Sequence, residues 1–389
     1  MELAYNHFLI LSSEHLPDCR RLAQEALAIA RETGDQRVMA RSIFYLGLVH
    51  QAEGDLDEGD RCCEESLKIS EPGGFKDISA VNLCWLGAHA NWRGQFNKAI
   101  NLSRHSAATA VEVHDGLTEL ISLAFVCLSE IGLGQYDSAL ATIRDGLAKA
   151  RERNNLFIIG RLTNTLGWLY QELGDFRRAI EYDREAADIG KRANNANVEV
   201  SSLINLGLDR LYLGEPGPAL ALLEETAARV EKSAFGAHRW RWANHLALYR
   251  AEALLARDEP GKALDEADNA LRQARATDSR KYVAKALTLR GEIALRSGQW
   301  VAAEAALAEA LTIARDIRYP PLTWQAAHLL SQARAGGGRI DDALVAARLA
   351  VQTIDDVSSG LADVAMRSTF LAGPKVESAR EHLERLLGR

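Results

Sequence analysis

The stretch GRLTNTLGWLYQELGDFRRAIEYDREA, residues 160–186, decides the fold. It holds a Leu166-Gly167 pair, a turn at Gly174-Asp175, and two small residues after that turn. The turn glycine recurs every 40 residues, at Gly54, Gly94, Gly134, Gly174 and Gly214, and again at Gly298 and Gly338. A fixed period of roughly 20 to 50 residues is the sequence signature of a repeat architecture. The chain is therefore predicted to be built from one unit used many times.

Each unit predicts two helices joined by a tight turn. The small residues after the turn, Ala179 and Ala186 in the quoted stretch, are seven positions apart and share one helix face. Small side chains there allow a second helix to approach to about 8 Å. Gly167 falls inside the helix before the turn, where Gly costs about 1 kcal/mol relative to Ala. Its recurrence at Gly47, Gly87 and Gly207 predicts a close helix contact at each of these positions.

The pattern resembles the tetratricopeptide-repeat family, whose units carry a Leu-Gly pair, an aromatic residue three positions later, a turn, and two alanines. The matching residues here are Leu166, Gly167, Tyr170, Ala179 and Ala186. The usual family period is about 34 residues, so a period of 40 implies longer helices. The resemblance implies an all-α fold, a right-handed α-solenoid of about nine helical hairpins with a C-terminal helical cap.

The period also predicts the organisation of the chain. Between Gly214 and Gly298 lie two periods and four extra residues, and the weaker turn Arg257-Asp258-Glu259 fills that gap. We expect a superhelix over residues 1–355 and capping helices over 356–389. The expected repeats are about 1–34, 36–72, 76–113, 116–153, 156–193, 197–233, 236–276, 280–316 and 319–355.

Both ends of the chain suggest a larger parent protein. Residues 1–12 read as a shortened first helix, so the sequence begins inside a repeat; a natural short start is the alternative. The run from Met366 to Leu371 resembles a tail that follows the last repeats of large bacterial signalling proteins. With this tail, the array resembles the C-terminal repeat arrays of bacterial STAND and cyclase-type signalling regulators, which implies a sensor or partner-docking segment.

Composition and motifs narrow the function. The net charge of −7 gives no general attraction to nucleic acid, which we regard as an unlikely partner. Five cysteines without a C-x-x-C pair are typical of reduced thiols, so we expect a cytoplasmic protein. No long apolar run predicts a membrane span. Phosphate-loop, G-x-S-x-G and H-E-x-x-H motifs are missing from the sequence, so we predict no catalytic residues, no cofactor and no metal.

The run HRWRW at residues 238–242 interleaves cations with aromatic rings. Such a run could contact phosphates or stack on bases. On a helix, however, Trp240 and Trp242 point about 200° apart and cannot form one platform. A structural or cation–π role is therefore favoured.

Binding is expected on the concave face lined by the first helix of each repeat. In the family, positions two before and two, five and six after the Leu of the Leu-Gly pair face that groove. The residues carried over are Phe44, Gln51, Asn91, Trp92, Asn164, Trp168, Gln171, Glu172, Leu208, Tyr212, Glu252, Thr288, Glu292 and His328. The alternative for Trp92 and Trp168 is that they fill gaps between repeats.

The groove residues predict that the protein is a non-catalytic interaction module. The N-terminal positions are apolar and aromatic, and the C-terminal ones are polar and acidic, so a peptide with apolar anchors and a basic end would match both. The expected partner is a protein or peptide, or another domain of the parent chain, without membrane contact. The Lys-x-x-x-Asn pair of repeat proteins that clamp chaperone tails is missing. A small-molecule-sensing repeat domain of a transcription activator is the alternative function.

Overall fold

The computed structural model describes residues 16–232 and 239–388; the predicted first helix and His238 lie outside these ranges. The described residues form nineteen α-helices and no strand. Their bounds are α1 Leu16–Thr33, α2 Gln36–Glu53, α3 Leu56–Ser70, α4 Lys76–Trp92, α5 Phe96–Glu112, α6 Gly116–Gly132, α7 Tyr136–Glu152, α8 Leu156–Glu172, α9 Phe176–Arg192, α10 Ala196–Tyr212, α11 Pro216–Lys232, α12 Arg239–Ala256, α13 Pro260–Ala276, α14 Arg280–Arg296, α15 Trp300–Asp316, α16 Pro320–Gly336, α17 Ile340–Ser359, α18 Val364–Leu371 and α19 Pro374–Leu387.

The helices alternate between an inner and an outer row. Each helix from α1 to α17 packs against the next one in sequence. The even-numbered helices α2 to α16, which we call the A helices, also pack against the A helix of the following repeat. The odd-numbered B helices α1 to α17 lie outside them. The chain is therefore an all-α helical-repeat solenoid, as predicted. Among the described helices, none is long and apolar enough to cross a membrane.

A residue with positive φ stands at every described joint from the one between α1 and α2 to the one between α16 and α17. These residues are 20 positions apart within 34–214 and again within 258–338. They are Gly34, Gly54, Gly74, Gly94, His114, Gly134, Asn154, Gly174, Asn194, Gly214, Asp258, Asp278, Gly298, Arg318 and Gly338. Most are Gly, Asn, Asp or His, the residue types that enter this region most readily. Because the joints are equally spaced, most helices have the same length of 17 residues.

The predicted small residues lie at the contacts between helices. Ala179 and Ala186 are fully buried, and so are the equivalent residues Ala99, Ala139, Ala219, Ala263, Ala303 and Ala343. At Gly167 an added Cβ would lie 2.5 Å from the carboxylate of Asp183 on α9. A methyl group at this position would therefore separate α8 from α9, which confirms the close contact expected from the Leu-Gly pair.

Repeats that are far apart in sequence also touch. The Trp240 indole N–H donates to the carbonyl oxygen of Gln51 over 3.2 Å, across 189 residues. The ring centroids of Phe96 and Tyr319, 223 positions apart, are separated by 5.8 Å. With 40 residues per repeat, the second contact joins helices about five and a half repeats apart. The C-terminal repeats thus close against the N-terminal ones, and the A helices surround a common interior.

The turn at Gly94 is one of these closing contacts. Gly94 has φ 82°, and a Cβ there would lie 3.2 Å from the side chain of Ile317. The neighbouring Arg93 is buried and pairs with Asp57 at 2.5 Å and with Asp278 at 3.3 Å. One turn therefore provides both the apolar and the charged contact between successive turns of the superhelix.

We predict that Gly94→Ala destabilises the protein more than Gly214→Ala does. Gly214 has a similar φ of 86° but no atom within 4 Å of an added Cβ, so its substitution measures backbone strain alone, about 1–2 kcal/mol. At Gly94, crowding of the added methyl group against Ile317 should lower the free energy of unfolding by about 1 kcal/mol or more in addition. Urea denaturation followed by circular dichroism measures both. Equal losses in the two variants would show that the closing contact contributes nothing.

Candidate ligand cavity inside the superhelix

The inner face of the superhelix forms a cavity of about 380 Å³, lined by residues between Trp168 and Val376. Five A helices and the C-terminal segment line it. The lining side chains include Trp168 and Glu172 of α8, Leu208 and Tyr212 of α10, Tyr249 and Glu252 of α12, Lys285, Thr288 and Glu292 of α14, Trp324 of α16, and Phe370, Lys375 and Val376 around α18 and α19. The structure thus brings together Trp168, Gln171, Leu208, Tyr212 and Glu252 from the residues expected in the groove.

The C-terminal segment covers one side of this cavity. Lys375 at the start of α19 donates through Nζ to the Tyr212 hydroxyl over 2.9 Å and lies 4.4 Å from the Tyr212 ring centroid. Gly373 approaches the turn at Gly174, where an added Cβ would lie 3.9 Å from the Gly373 Cα. Repeat periodicity gives no signal for these contacts, because residues after 355 lie outside the period.

A hydrogen-bonded carboxylate stands on the opposite wall. The Tyr212 hydroxyl donates to Glu252 Oε2 over 2.7 Å. Burial raises the pKa of Glu252, and Lys375 and the bond from Tyr212 act against that rise. The chain from Lys375 through Tyr212 to Glu252 fixes an acidic group at the cavity surface.

Trp168 is held in place by a second carboxylate. Its indole N–H donates to Glu172 Oε1 over 2.9 Å, and the Tyr319 hydroxyl donates to the same oxygen over 3.1 Å. The Trp168 side chain is half-buried, so part of the ring is accessible from the cavity. A fixed, partly exposed aromatic ring is suited to anchor an apolar ligand group.

Asn164 and Gln171 are committed to a buried acidic pair that the sequence analysis missed. Gln171 donates through Nε2 to Asp209 over 2.7 Å, and Asn164 donates through Nδ2 to Asp183 over 2.6 Å. Both aspartates are fully buried. Burial raises the pKa of Asp209 to about 8. Burial, and then the neighbouring Asp209, raise the pKa of Asp183 well above its usual range. The only sequence signal was an acidic residue on the buried face of α9, between Ala179 and Ala186.

Phe44, Gln51 and Trp92 lie inside the wall rather than at the cavity. All three are buried. Trp92 packs edge-on against Trp240, with ring centroids 5.7 Å apart, and Gln51 receives the Trp240 hydrogen bond through its backbone carbonyl. Gln51 and Trp92 therefore lie at a contact with α12 between successive turns of the superhelix.

Asn91 and His328 are also buried in contacts between helices. Asn91 donates through Nδ2 to the Ser129 hydroxyl over 2.8 Å, which joins α4 to α6. The His328 ring lies 5.4 Å from the ring of His382 on α19. Neither residue lines the cavity described above.

The described part of the HRWRW run is a structural element of this wall. Trp242 is buried, and its indole N–H donates to the Ser201 hydroxyl over 3.2 Å. Arg241 lies 4.9 Å from the ring centroid of Trp92, a cation–π contact. Trp240 faces the N-terminal repeats, so the two indoles do point to different neighbours.

Comparison with known proteins places the fold. A family model described as tetratricopeptide repeat matches residues 161–197. The crystal structure of a Rap protein complexed with Competence and Sporulation Factor is similar at a TM-score of 0.68 and 13% identity, covering 92% of this chain and 99% of that one. The Rap conjugation gene regulator of plasmid pLS20, in complex with the Phr* peptide, is similar at a TM-score of 0.60 and 11% identity. The match covers 90% of this chain and 98% of that one.

A third similar structure is a STAND protein with a tetratricopeptide-repeat sensor from Pyrococcus horikoshii, at a TM-score of 0.50 and 11% identity. This chain aligns over 95% of its own length with 54% of that protein. No curated protein matches the sequence. At these identities the likeness concerns the fold.

We predict that Asp209→Asn reduces the pH dependence of stability, while the contribution of buried Asp183 remains. The folded chain keeps a proton on Asp209 up to about pH 8, whereas an unfolded aspartate loses it near about pH 4. The free energy of unfolding of the natural protein should therefore fall as pH rises between these values. The variant should gain stability relative to it over the same window. Chemical denaturation at several pH values measures this, and exposed Asp188→Asn is the control that should keep the original slope.

Proposed function

Because this chain is a tetratricopeptide-repeat protein, we propose that it is a non-catalytic interaction module whose interior cavity receives a peptide or a segment of a partner protein. One observation carries the proposal. A helices from five successive repeats and the C-terminal segment direct aromatic, apolar and charged side chains into one cavity. Convergent polar groups in an apolar cavity are the usual form of a ligand site.

The lining suits a peptide with apolar anchors. Trp168, Tyr212 and Leu208 offer the aromatic and aliphatic surfaces that commonly dominate binding energy. Glu252 and Glu292 supply negative charge, as expected for a ligand with a basic group. The volume lies toward the lower end of the range for ligand pockets, roughly 300–1,000 Å³, so a few residues of a peptide would enter rather than a whole domain.

The structural neighbours support this proposal. The two Rap structures hold Competence and Sporulation Factor in one case and the Phr* peptide in the other. The STAND neighbour carries its repeats as a sensor. We propose a comparable place for this array, in a cytoplasmic bacterial signalling or transcriptional regulator. Its partner would be a peptide, another protein, or a further domain of the parent chain.

A small-molecule sensor is the second candidate function. The cover that Phe370, Pro374 and Lys375 place on one side of the cavity favours it, since a covered cavity of this size can bury most of the surface of a small metabolite. The two candidates differ in whether a ligand must extend beyond the cavity.

Peptide selection tests the leading proposal. A phage-displayed library of random peptides is selected on the full chain, and the affinities of enriched peptides are measured by titration calorimetry. We expect Trp168→Ala to weaken binding at least about tenfold, or about 1.4 kcal/mol. Trp300→Ala is the matched control, because Trp300 is exposed on the outer helix α15 and should leave affinity unchanged. Selected peptides that bind Trp168→Ala and the natural protein equally would refute the cavity as their site.

A thermal-shift screen with a metabolite collection separates the second candidate. A ligand that binds only the folded state raises the melting temperature. A metabolite whose stabilisation disappears in Trp168→Ala, in the absence of any selected peptide, would favour the small-molecule sensor. Stabilisation by selected peptides alone would favour the interaction module.

A further inference from the structure

The inner wall is electrically polarised along three A helices. Cations stand near the N-terminal ends of these helices: Arg161 on α8, Arg241 on α12, and Lys281 and Lys285 on α14. Carboxylates stand nearer their C-terminal ends: Glu172 on α8, Glu252 on α12 and Glu292 on α14. This order opposes the helix dipole, which favours anions at the N-terminus and cations at the C-terminus. Helix stability therefore does not explain it.

The four cations, which we call the cation set, form no close ion pair with a described carboxylate and donate no hydrogen bond to a described group. Glu172 attracts Lys281, and Glu252 attracts Lys285, only over a longer distance. Buried Arg93, by contrast, pairs with Asp57 and Asp60. The nearby Glu172 already accepts hydrogen bonds from Trp168 and Tyr319.

Aromatic rings contact the cation set instead. Arg161 lies 5.1 Å from the ring centroid of Phe125, and Lys281 lies 4.9 Å from that of Trp168. The third contact is that of Arg241 with Trp92, described above. A ring face supports a cation but accepts few of its N–H groups. The N–H donors of the cation set are therefore not satisfied by these rings, and one member of the set, Lys285, lines the cavity itself.

The cations also repel one another. Burial, and then the neighbouring Lys285 and Arg241, lower the pKa of Lys281 to about 7, against the opposing effect of Glu172. Burial, and then Arg161, lower the pKa of Arg241 to about 10. A chain of net charge −7 has ample acidic residues to pair these groups. Like charges gathered without partners in a partly buried place are costly unless an anion joins them.

We propose that the cation set binds an oxyanion of the ligand, a carboxylate or a phosphate, with the Trp168 ring packing against the apolar group beside it. This deepens the proposed function and rests on it, because it assigns the anionic part of the ligand to one level of the interior. A basic group of the same ligand would then face Glu252 and Glu292, so the wall would fix the direction in which a peptide lies.

Small probes test the inference without knowledge of the natural ligand. N-acetyl-tryptophan carries a carboxylate, N-acetyl-tryptophanamide lacks it, and phenyl phosphate supplies the other oxyanion. We expect the first to raise the melting temperature of the full chain and the amide to have no effect. Calorimetry measures the affinity of both oxyanion probes. The probe that binds more tightly indicates whether the anionic group of the natural ligand is a carboxylate or a phosphate.

Lys281→Met is the decisive variant, since it keeps the length of the side chain and removes the charge. We expect it to lower the affinity for N-acetyl-tryptophan at least tenfold, while the melting temperature of the free protein stays unchanged or rises. A purely structural cation–π role would instead lower the melting temperature. Lys262→Met is the control: Lys262 is exposed on the outer helix α13 and pairs with Glu259 at 2.7 Å, so binding should not change.

Proton uptake gives a further readout. Near pH 8, an anion beside Lys281 should draw a proton onto it, because its pKa of about 7 lies below that pH. The charged and titratable groups around Lys281 are Lys285, Arg241, Glu172, His245 and Tyr282. Calorimetry in buffers of different ionisation enthalpy measures the uptake, which should vanish in Lys281→Met.

The results distinguish the inference from the function beneath it. Equal binding of the acid and the amide, or unchanged binding of N-acetyl-tryptophan to Lys281→Met, would overturn the oxyanion site. If selected peptides still lost affinity in Trp168→Ala, the interaction module would stand without it. If no library peptide bound the natural protein but N-acetyl-tryptophan did, the oxyanion site would stand and the peptide-binding function would fall.

Discussion

The joint with positive φ is the constraint on which the structure depends. One such residue every 20 positions stops each helix at the same length and turns the chain by the same geometry each time. Equal helices with small residues at fixed positions pack alike from repeat to repeat. A constant step between repeats then accumulates into a regular superhelix, which is why Gly94 arrives opposite Ile317.

The contact between successive turns of the superhelix determines which parts of its inner face are accessible. In an open array, each A helix would present its concave face to solvent. Here the N-terminal repeats meet the C-terminal ones through Trp92, Trp240 and Arg93. The inner surface is therefore divided into a sealed part and a cavity. The C-terminal helices cover one side of this cavity through Lys375 and Phe370, and the protein around the charges of the A helices screens them less than bulk water would.

The fold could be predicted from the sequence because its causes are local. The period, the small residues at Ala179 and Ala186, and the Leu-Gly pairs each act between neighbouring helices. The same phase places Trp168, Leu208 and Tyr212 on the inner face, and the structure finds all three at the cavity.

The rest of the site depends on distant contacts that no local pattern encodes. Phe44 and Trp92 have the phase of groove residues, yet both are buried. Their burial follows from the superhelical pitch, which is the sum of small rotations over more than five repeats and is invisible in any one of them. The acidic pair of Asp183 and Asp209 was missed for a related reason. Its members come from helices of adjacent repeats, and only their packing shows that they share one buried place.

The contact between successive turns of the superhelix also changes how the chain can fold. Linear repeat arrays usually fray from either terminus, because each unit depends only on its neighbours. Here Gln51 and Trp240, 189 residues apart, must both be in position before either repeat is complete. Contacts at such separation are formed late and at a high entropic cost. They also couple the second repeat to the seventh, so this solenoid should melt in a more concerted manner than an open array of equal length.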